Sequence, residues 1–302
     1  MNRPGTRRSS TRRMLTGLAF VSPWLIGFLV FVLYPMVASL YYSFCRFNVL
    51  SSPHFVGLAN YRTLLLEDEY VWKSVGNTLF MMLELPLSVV LGIGTALLLH
   101  RSARGIGLLR TVYYLPYVVP SVSAALLWLW MLNADQGLVN SLLSLLHIEG
   151  PSWLKDAAWA KPGLVLMDLW GVGGGTVIYL AALQDVPQHL YEAAELDGAG
   201  PWAKFRHVTL PAISPVVFFL VVTGAIVILQ YFTQAFVMTK GKPENSTLFF
   251  GLYLFQNAFE YFRMGYASAM AWLLFVISLL ATYVIFRTSA RWVYYEAEEG
   301  GA

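Results

Sequence analysis

The sequence predicts an all-α membrane protein with six transmembrane helices, and two observations carry that fold class. Of its 302 residues, 57% are hydrophobic and only 12% are charged. A soluble domain carries about 25% charged residues. The charge that remains is gathered into gaps between apolar runs, each long enough to cross about 30 Å of hydrocarbon. Such runs are too long and too numerous for the buried helices of a soluble core.

The runs follow one another along the chain. The first covers roughly Leu15 to Tyr42, the second Thr78 to Leu99, and the third Thr111 to Met131. The fourth covers roughly Gly163 to Leu183, the fifth Pro211 to Met238, and the sixth Tyr266 to Phe286. The first run follows a basic tail (Arg3, Arg7, Arg8, Arg12, Arg13) and has no small-residue cleavage pattern after it, so it reads as an uncleaved span. Pro116 and Pro120 predict a kink in the third run. Between the third and fourth runs, Leu138, Val139, Leu142, Leu143, Leu145 and Leu146 are spaced like a helix lying on the membrane surface. Trp153 and Trp159 suit the interface beside it.

Lys and Arg placement sets the orientation. With the N-terminus inside, the inner segments hold the tail arginines, Arg101, Arg104, Arg110, Lys204, Arg206, Arg287 and Arg291. The outer segments hold fewer, at lower density. Both termini are therefore expected in the cytoplasm, in a multi-pass protein of a prokaryotic cytoplasmic (inner) membrane. The expected organisation is a basic tail at 1–14, the first span and outer loop at 15–76, a five-helix core at 77–288, and a cytoplasmic tail at 289–302.

Several function classes drop out. The single cysteine, Cys45, allows no internal disulfide. The five histidines share no metal-ligand spacing with one another or with Cys45, so no metal site is expected. A formal charge of +3 points to no nucleic-acid partner. No G-x-x-x-x-G-K-[ST] phosphate loop occurs, so the chain does not cradle a nucleotide itself. No catalytic residues are assigned and no enzyme is expected.

The segment between the fourth and fifth runs is polar and rich in small residues. Asp185 is a candidate N-cap, and Pro187 suits a first helical turn. Gln188 to Leu196 are helix formers, Asp197-Gly198 is a C-terminal stop, and Pro201 opens another short helix. The result is a cytoplasmic clip at about 187–200. Its alanines permit close approach of another protein, and Glu192, Glu195 and Asp197 offer carboxylates to basic groups.

This segment resembles the EAA motif of permease subunits from binding-protein-dependent ABC importers. Glu192-Ala193-Ala194 is followed after three residues by Gly198, and after nine more by Val208-Thr209-Leu210-Pro211. Gly57-Leu58-Ala59-Asn60-Tyr61, Asn77-Thr78-Leu79, Gly137-Leu138-Val139-Asn140, Asn245-Ser246-Thr247 and Met264-Gly265-Tyr266-Ala267 are similar to carbohydrate permeases of the MalF/UgpA type. The resemblance implies an ABC type I importer permease fold. It implies that Glu192, Ala193, Ala194, Asp197 and Gly198 form a coupling helix that docks on a cytoplasmic ATPase dimer, with Glu192 as the salt-bridge partner. ATP and Mg would be used by that ATPase, and no cofactor is bound by this chain. A second permease subunit, commonly a related but different chain in this family, and an extracytoplasmic solute-binding protein are the other implied partners, with a sugar as cargo.

The substrate path is expected at Gly171, Gly174, Gln230 and Tyr231. Gly171 and Gly175 form a small-xxx-small pair, and four glycines within residues 171–175 invite local unwinding. Gln230 and Tyr231 place polar groups in an otherwise apolar run. No basic residue falls inside the runs near that site, which points to a neutral solute. Glu84 and Asp168 are the two acids in or beside the runs, and each reads equally as a structural carboxylate or as part of an ion-coupled path. The alternative function is a self-contained secondary carrier or channel.

Overall fold

The computed structural model describes residues 6–101 and 103–294, with side chains from residue 16 onward. The outermost parts of the two expected tails, 1–5 and 295–302, lie outside the described residues. The chain divides into two compact units, Met1–Glu67 with Gln256–Trp272, and Asp68–Phe255 with Leu273–Ala302.

In the first unit, α1 (Thr6–Phe28) passes through a π-helical turn at Leu29–Leu33 into α2 (Tyr34–Ser43). The widened turn ends two residues before Pro35. A proline cannot donate to the carbonyl one turn back, and a π turn absorbs the mismatch. Beyond α2, β1 (Cys45–Arg46) pairs antiparallel with β2 (His54–Phe55). The short helix α3 (Ala59–Arg62) then fixes the end of the first span. The Asn60 amide donates to the carbonyls of Ser43 at 2.8 Å and Cys45 at 2.9 Å, and the Tyr61 hydroxyl donates to Ser43 Oγ at 2.8 Å. Gly265 donates its N–H to the Phe47 carbonyl at 2.9 Å, and a Cβ on it would collide with the Cys45 carbonyl. The Asn60-Tyr61 and Gly265 stretches are therefore backbone clamps.

The second unit begins with α4 (Glu69–Met81), capped by Asp68, which accepts from Tyr70 N at 3.0 Å. A turn leads into α5 (Glu84–His100), and together they make an apolar helix of 32 residues, Glu69–His100. It starts earlier than the sequence pattern predicts, because the polar first turns of α4 depress the hydropathy signal without breaking the helix. The third run is two helices, α6 (Ile106–Val118) and α7 (Ser121–Met131), at 98° to one another. That is far more than a kink. Val119, forced out of the helical region by the proline that follows, is extended at φ −68°, ψ 128°, and Pro120 caps the new helix. The surface helix is present as α8 (Leu138–Leu145). Asn140 holds it in place, donating to the Ala134 and Pro151 carbonyls and accepting from Trp153 Nε1 at 2.7 Å.

The fourth run is also a bent pair, α9 (Ala157–Trp170) and α10 (Gly173–Gln184), at 46°. The glycine cluster is where it bends, as its composition predicts. The clip follows as α11 (Gln188–Leu196) and α12 (Pro201–Lys204). Another π turn, Phe205–Thr209, ends two residues before a proline, Pro211, and opens into α13 (Leu210–Leu229). The fifth run is interrupted at Gln230 and resumes as α14 (Thr233–Met238), so Gln230 and Tyr231 sit at a break. The short α15 (Phe250–Phe255) leads to α16 (Met264–Ser289). Among the described residues, four helices are long and apolar enough to cross a membrane, and up to six segments are if each bent pair is one span.

The core that matters for the clip lies where α5, α10 and α13 meet. Ile93, Ala96, Tyr179, Leu180, Leu183, Ile213 and Val217 form one buried cluster. Gly92 lets α5 approach, since a Cβ there would lie 2.8 Å from the Tyr179 ring. Both helices that flank the clip, α10 and α13, are thus rooted in the same core.

Candidate functional site

The clip is built from its backbone outward. Gly198 takes φ +76°, and around it Gly198 N donates to Glu195 O at 3.0 Å and Ala199 N to Ala194 O at 2.9 Å. Those two bonds are the paired reverse bonds of a Schellman cap, and the left-handed residue they require favours glycine. The N-terminal expectation is corrected. Asp185 caps nothing on α11; it closes α10, with its N–H on the Ala181 carbonyl, and Pro187 is the residue that precedes α11. α10 runs on to Gln184, which leaves only Val186-Pro187 as the extended link.

α11 presents two faces. Tyr191 and Ala194 are half-buried, and the Tyr191 hydroxyl shares a 2.9 Å hydrogen bond with Thr209 Oγ1, tying the clip to the base of α13. Glu192, Ala193, Glu195, Leu196 and Asp197 are exposed, with Leu196 at 90% and Trp202 beyond it at 69%. Glu195 pairs with Lys204 at 2.5 Å. Glu192 and Asp197 have no ion-pair partner among the described residues. The outward face therefore combines two unpaired carboxylates, small alanine surface and an uncovered leucine, which suits a partner lined by basic and apolar groups.

Deeper in the unit, the break in α9–α10 faces the break in α13–α14. Asp168 accepts from the Tyr231 hydroxyl at 2.6 Å and from Gln234 Nε2 at 3.2 Å. Tyr231 is buried, and its hydroxyl is committed to Asp168; Gln230 at the same break is exposed. Gly171 ends α9, its N–H on the Asp168 carbonyl at 2.9 Å. Gly174 turns elsewhere, because a Cβ there would lie 2.5 Å from the Tyr117 ring of α6, and Gly173 abuts the Tyr113 carbonyl. Three of the four expected path residues thus gather at one junction, and Gly174 is a packing glycine. Glu84 lines a cavity of about 160 Å³ with Ser88, Tyr179 and Gly224, and its buried Oε2 has no hydrogen-bond partner among the described residues.

A third polar cluster joins segments far apart in sequence. The Asn77 amide donates to the carbonyls of Asn245 at 2.8 Å and Leu248 at 3.0 Å, and Thr78 Oγ1 accepts from Phe250 N at 2.9 Å. Lys161 donates to Asn77 Oδ1 at 3.1 Å, and Lys73 donates to the Glu244 carbonyl at 2.6 Å. Sequence reasoning singled out Asn77-Thr78 and Asn245-Ser246-Thr247 separately; no local signal shows that they form one clasp.

A family described as the inner membrane component of binding-protein-dependent transport systems matches residues 88–294. The chain belongs to that family. This permease is 38% identical over 297 residues to the probable ABC transporter permease protein YesP of Bacillus subtilis, covering 97% of this chain and 96% of that one. It is 32% identical over 284 residues to the trehalose/maltose transport system permease protein MalF of Thermococcus litoralis, covering 92% and 95%. A crystal structure of a bacterial ABC transporter involved in the import of the acidic polysaccharide alginate contains a chain that matches with a TM-score of 0.80 at 24% identity, covering 94% of this chain and 98% of that one. The permease has the type I importer permease fold, is a multi-pass inner-membrane protein, and is a transport subunit and not an enzyme.

Proposed function

We propose that this permease forms half of the translocation path of an ATP-driven sugar importer and is driven through α11. A second permease chain, related but different, completes the path. An extracytoplasmic binding protein delivers the sugar, and a cytoplasmic ATPase dimer uses ATP and Mg. The carbohydrate reading is supported by relatives such as the one named for trehalose and maltose.

One observation carries the coupling role: the outward face of α11. Glu192, Ala193, Ala194, Asp197 and Gly198 belong to a short helix with a rigid cap, whose unpaired carboxylates and exposed Leu196 have no use within the described chain. Its two ends continue into α10 and α13, which share one buried core. Force on α11 is therefore delivered to packed helices and is not dissipated in a loose loop. Closure of the ATPase dimer biases the permease between inward-open and outward-open states because it holds α11 differently in each. Gly171 and Gln230 line the sugar path at the junction of the two broken helices, Tyr231 braces that junction through Asp168, and Gly174 shapes it by seating Tyr117.

The carrier alternative needs a titratable group free to exchange its ion. Asp168 is already met by Tyr231 and Gln234, which favours a structural carboxylate there, so Glu84, whose buried Oε2 has no partner among the described residues, is the group a carrier would use. Reconstitution with the ATPase, the second permease and the binding protein separates the two readings. The importer predicts ATP hydrolysis stimulated by the sugar-loaded binding protein. Ion-gradient-driven uptake by the isolated chain, without any such stimulation, would replace it with the carrier.

A further inference from the structure

Sequence spacing starts the fourth span at Gly163 and so leaves Lys161 in a gap. The helix begins earlier, at Ala157, and Lys161 lies one turn inside it, half-buried. An ionisable side chain in a spanning helix faces the bundle interior or a wet cavity, and pairs there. The partners of Lys161 are all neutral. Its ammonium donates to Asn77 Oδ1 at 3.1 Å and stands 4.7 Å from the centroid of the Phe80 ring. The orientation of Asn77 is not arbitrary, because both hydrogens of its amide are held by the Asn245 and Leu248 carbonyls. Only its oxygen is left to face the lysine.

Lys73 adds a second ammonium within electrostatic reach of the first, and it too is met by a neutral acceptor, the Glu244 carbonyl. Among the described residues, the ion pairs within 4 Å are Arg62–Glu67 and Lys204–Glu195, so neither lysine has a carboxylate within that distance. Amide oxygen, carbonyl and ring face satisfy the direction of the N–H groups but do not cancel two positive charges. The deficit sits at the end of the α9–α10 pair opposite α11. Asp168 lies seven residues further along the same helix, about 10 Å deeper at 1.5 Å per residue. Its carboxylate accepts there from Tyr231 and Gln234, too far along the helix to pair with Lys161.

We propose that Lys161, supported by Lys73, is a binding site for the anionic group of the transported carbohydrate, a carboxylate, sulfonate or phosphate, at the entry to the path. The Lys161 ammonium supplies a charge-assisted hydrogen bond to that group, and Lys73 raises the local positive potential that draws it in. The solute class is thus an acidic sugar, in place of the neutral one that the apolar runs imply. This rests on the reading of the chain as half of a sugar importer.

The test uses the complete importer in nanodiscs and two disaccharides matched in size: α-1,4-digalacturonate and neutral α-1,4-galactobiose. Direct binding without ATP is measured for each, and ATP-driven uptake is measured separately in proteoliposomes. Digalacturonate is expected to bind at least tenfold more tightly, with affinity falling as NaCl rises from about 20 to about 300 mM. Lys161→Met is expected to erase that preference and Lys161→Arg to keep it. If Lys161→Met does not assemble, Lys73→Met serves, with a several-fold loss for digalacturonate alone. Equal binding of the two sugars by the unaltered importer, or a preference that survives both methionine variants, overturns the proposal. An importer that binds digalacturonate preferentially but takes up neither sugar with ATP leaves the anion site standing and sinks the sugar-import reading.

Discussion

Gly198 is the position at which backbone conformation can be separated from side-chain contact. Its φ of +76° lies where an L-residue is strained, yet a Cβ placed on it meets no atom within 4 Å. Gly198→Ala therefore adds no steric clash, only the cost of holding the left-handed conformation, about 1–2 kcal/mol. Against a frayed loop, that lowers the ratio of capped to uncapped clip by about 5–30-fold. Gly198→Asn costs less, because asparagine tolerates this region. Gly198→Pro is of a different kind. It fixes φ near −65° and deletes the N–H that donates to Glu195 O at 3.0 Å, so the Schellman cap cannot form. The assay is ATP hydrolysis by the reconstituted complex with and without loaded binding protein. Stimulation should be close to unaltered for Asn, clearly reduced for Ala and abolished for Pro. Full stimulation by the proline variant would refute the claim that a capped α11 transmits the drive.

Other positions give independent checks. Gly174→Ala should lower the melting temperature of the purified permease, because the new methyl lies 2.5 Å from the Tyr117 ring and overpacking costs about 1–3 kcal/mol; adding Tyr117→Ala should relieve much of that loss. Gly173→Ala should not be rescued by shortening Tyr113, since the obstacle there is the Tyr113 carbonyl. Tyr231→Phe removes the donor to Asp168 Oδ2 and should destabilise by about 0.6–1.7 kcal/mol in thermal unfolding, the range for interhelical hydrogen bonds in membranes. Glu195→Gln should change stability by less than about 1 kcal/mol, as its pair with Lys204 is partly exposed, whereas Glu192→Ala should weaken co-purification of the ATPase without changing permease stability.

How legible the molecule was depends on how local each signal is. Asp197-Gly198 and Gly200-Pro201 announce the clip because caps and helix starts are set by a few adjacent residues, and the bonds around Gly198 follow. Pro120 gives away a disruption but not a 98° corner, since the angle is decided by what packs on α6 and α7. The break at Gln230-Tyr231 is hidden because apolar residues continue on both sides of it. The long-range contacts had no sequence signal: Asn77 and Asn245 are 168 positions apart, and Asp168 meets Tyr231 across 63. Asp185 misled because an acid before a proline resembles a helix start, while α10 in fact extends to Gln184. Lys161 was read as a loop residue because a charge at the edge of an apolar run looks like its boundary.

The claim on which the rest depends is that the outward face of α11 lies in the cytoplasm against the ATPase. The sole cysteine, Cys45, is buried, so Ala193→Cys in a Cys45→Ala chain supplies one exposed thiol on that face. The account predicts that a membrane-impermeant maleimide labels it in inside-out vesicles but not in intact cells, and that the assembled ATPase shields it. Labelling from the outside of intact cells, or labelling that the ATPase leaves unchanged, would contradict it.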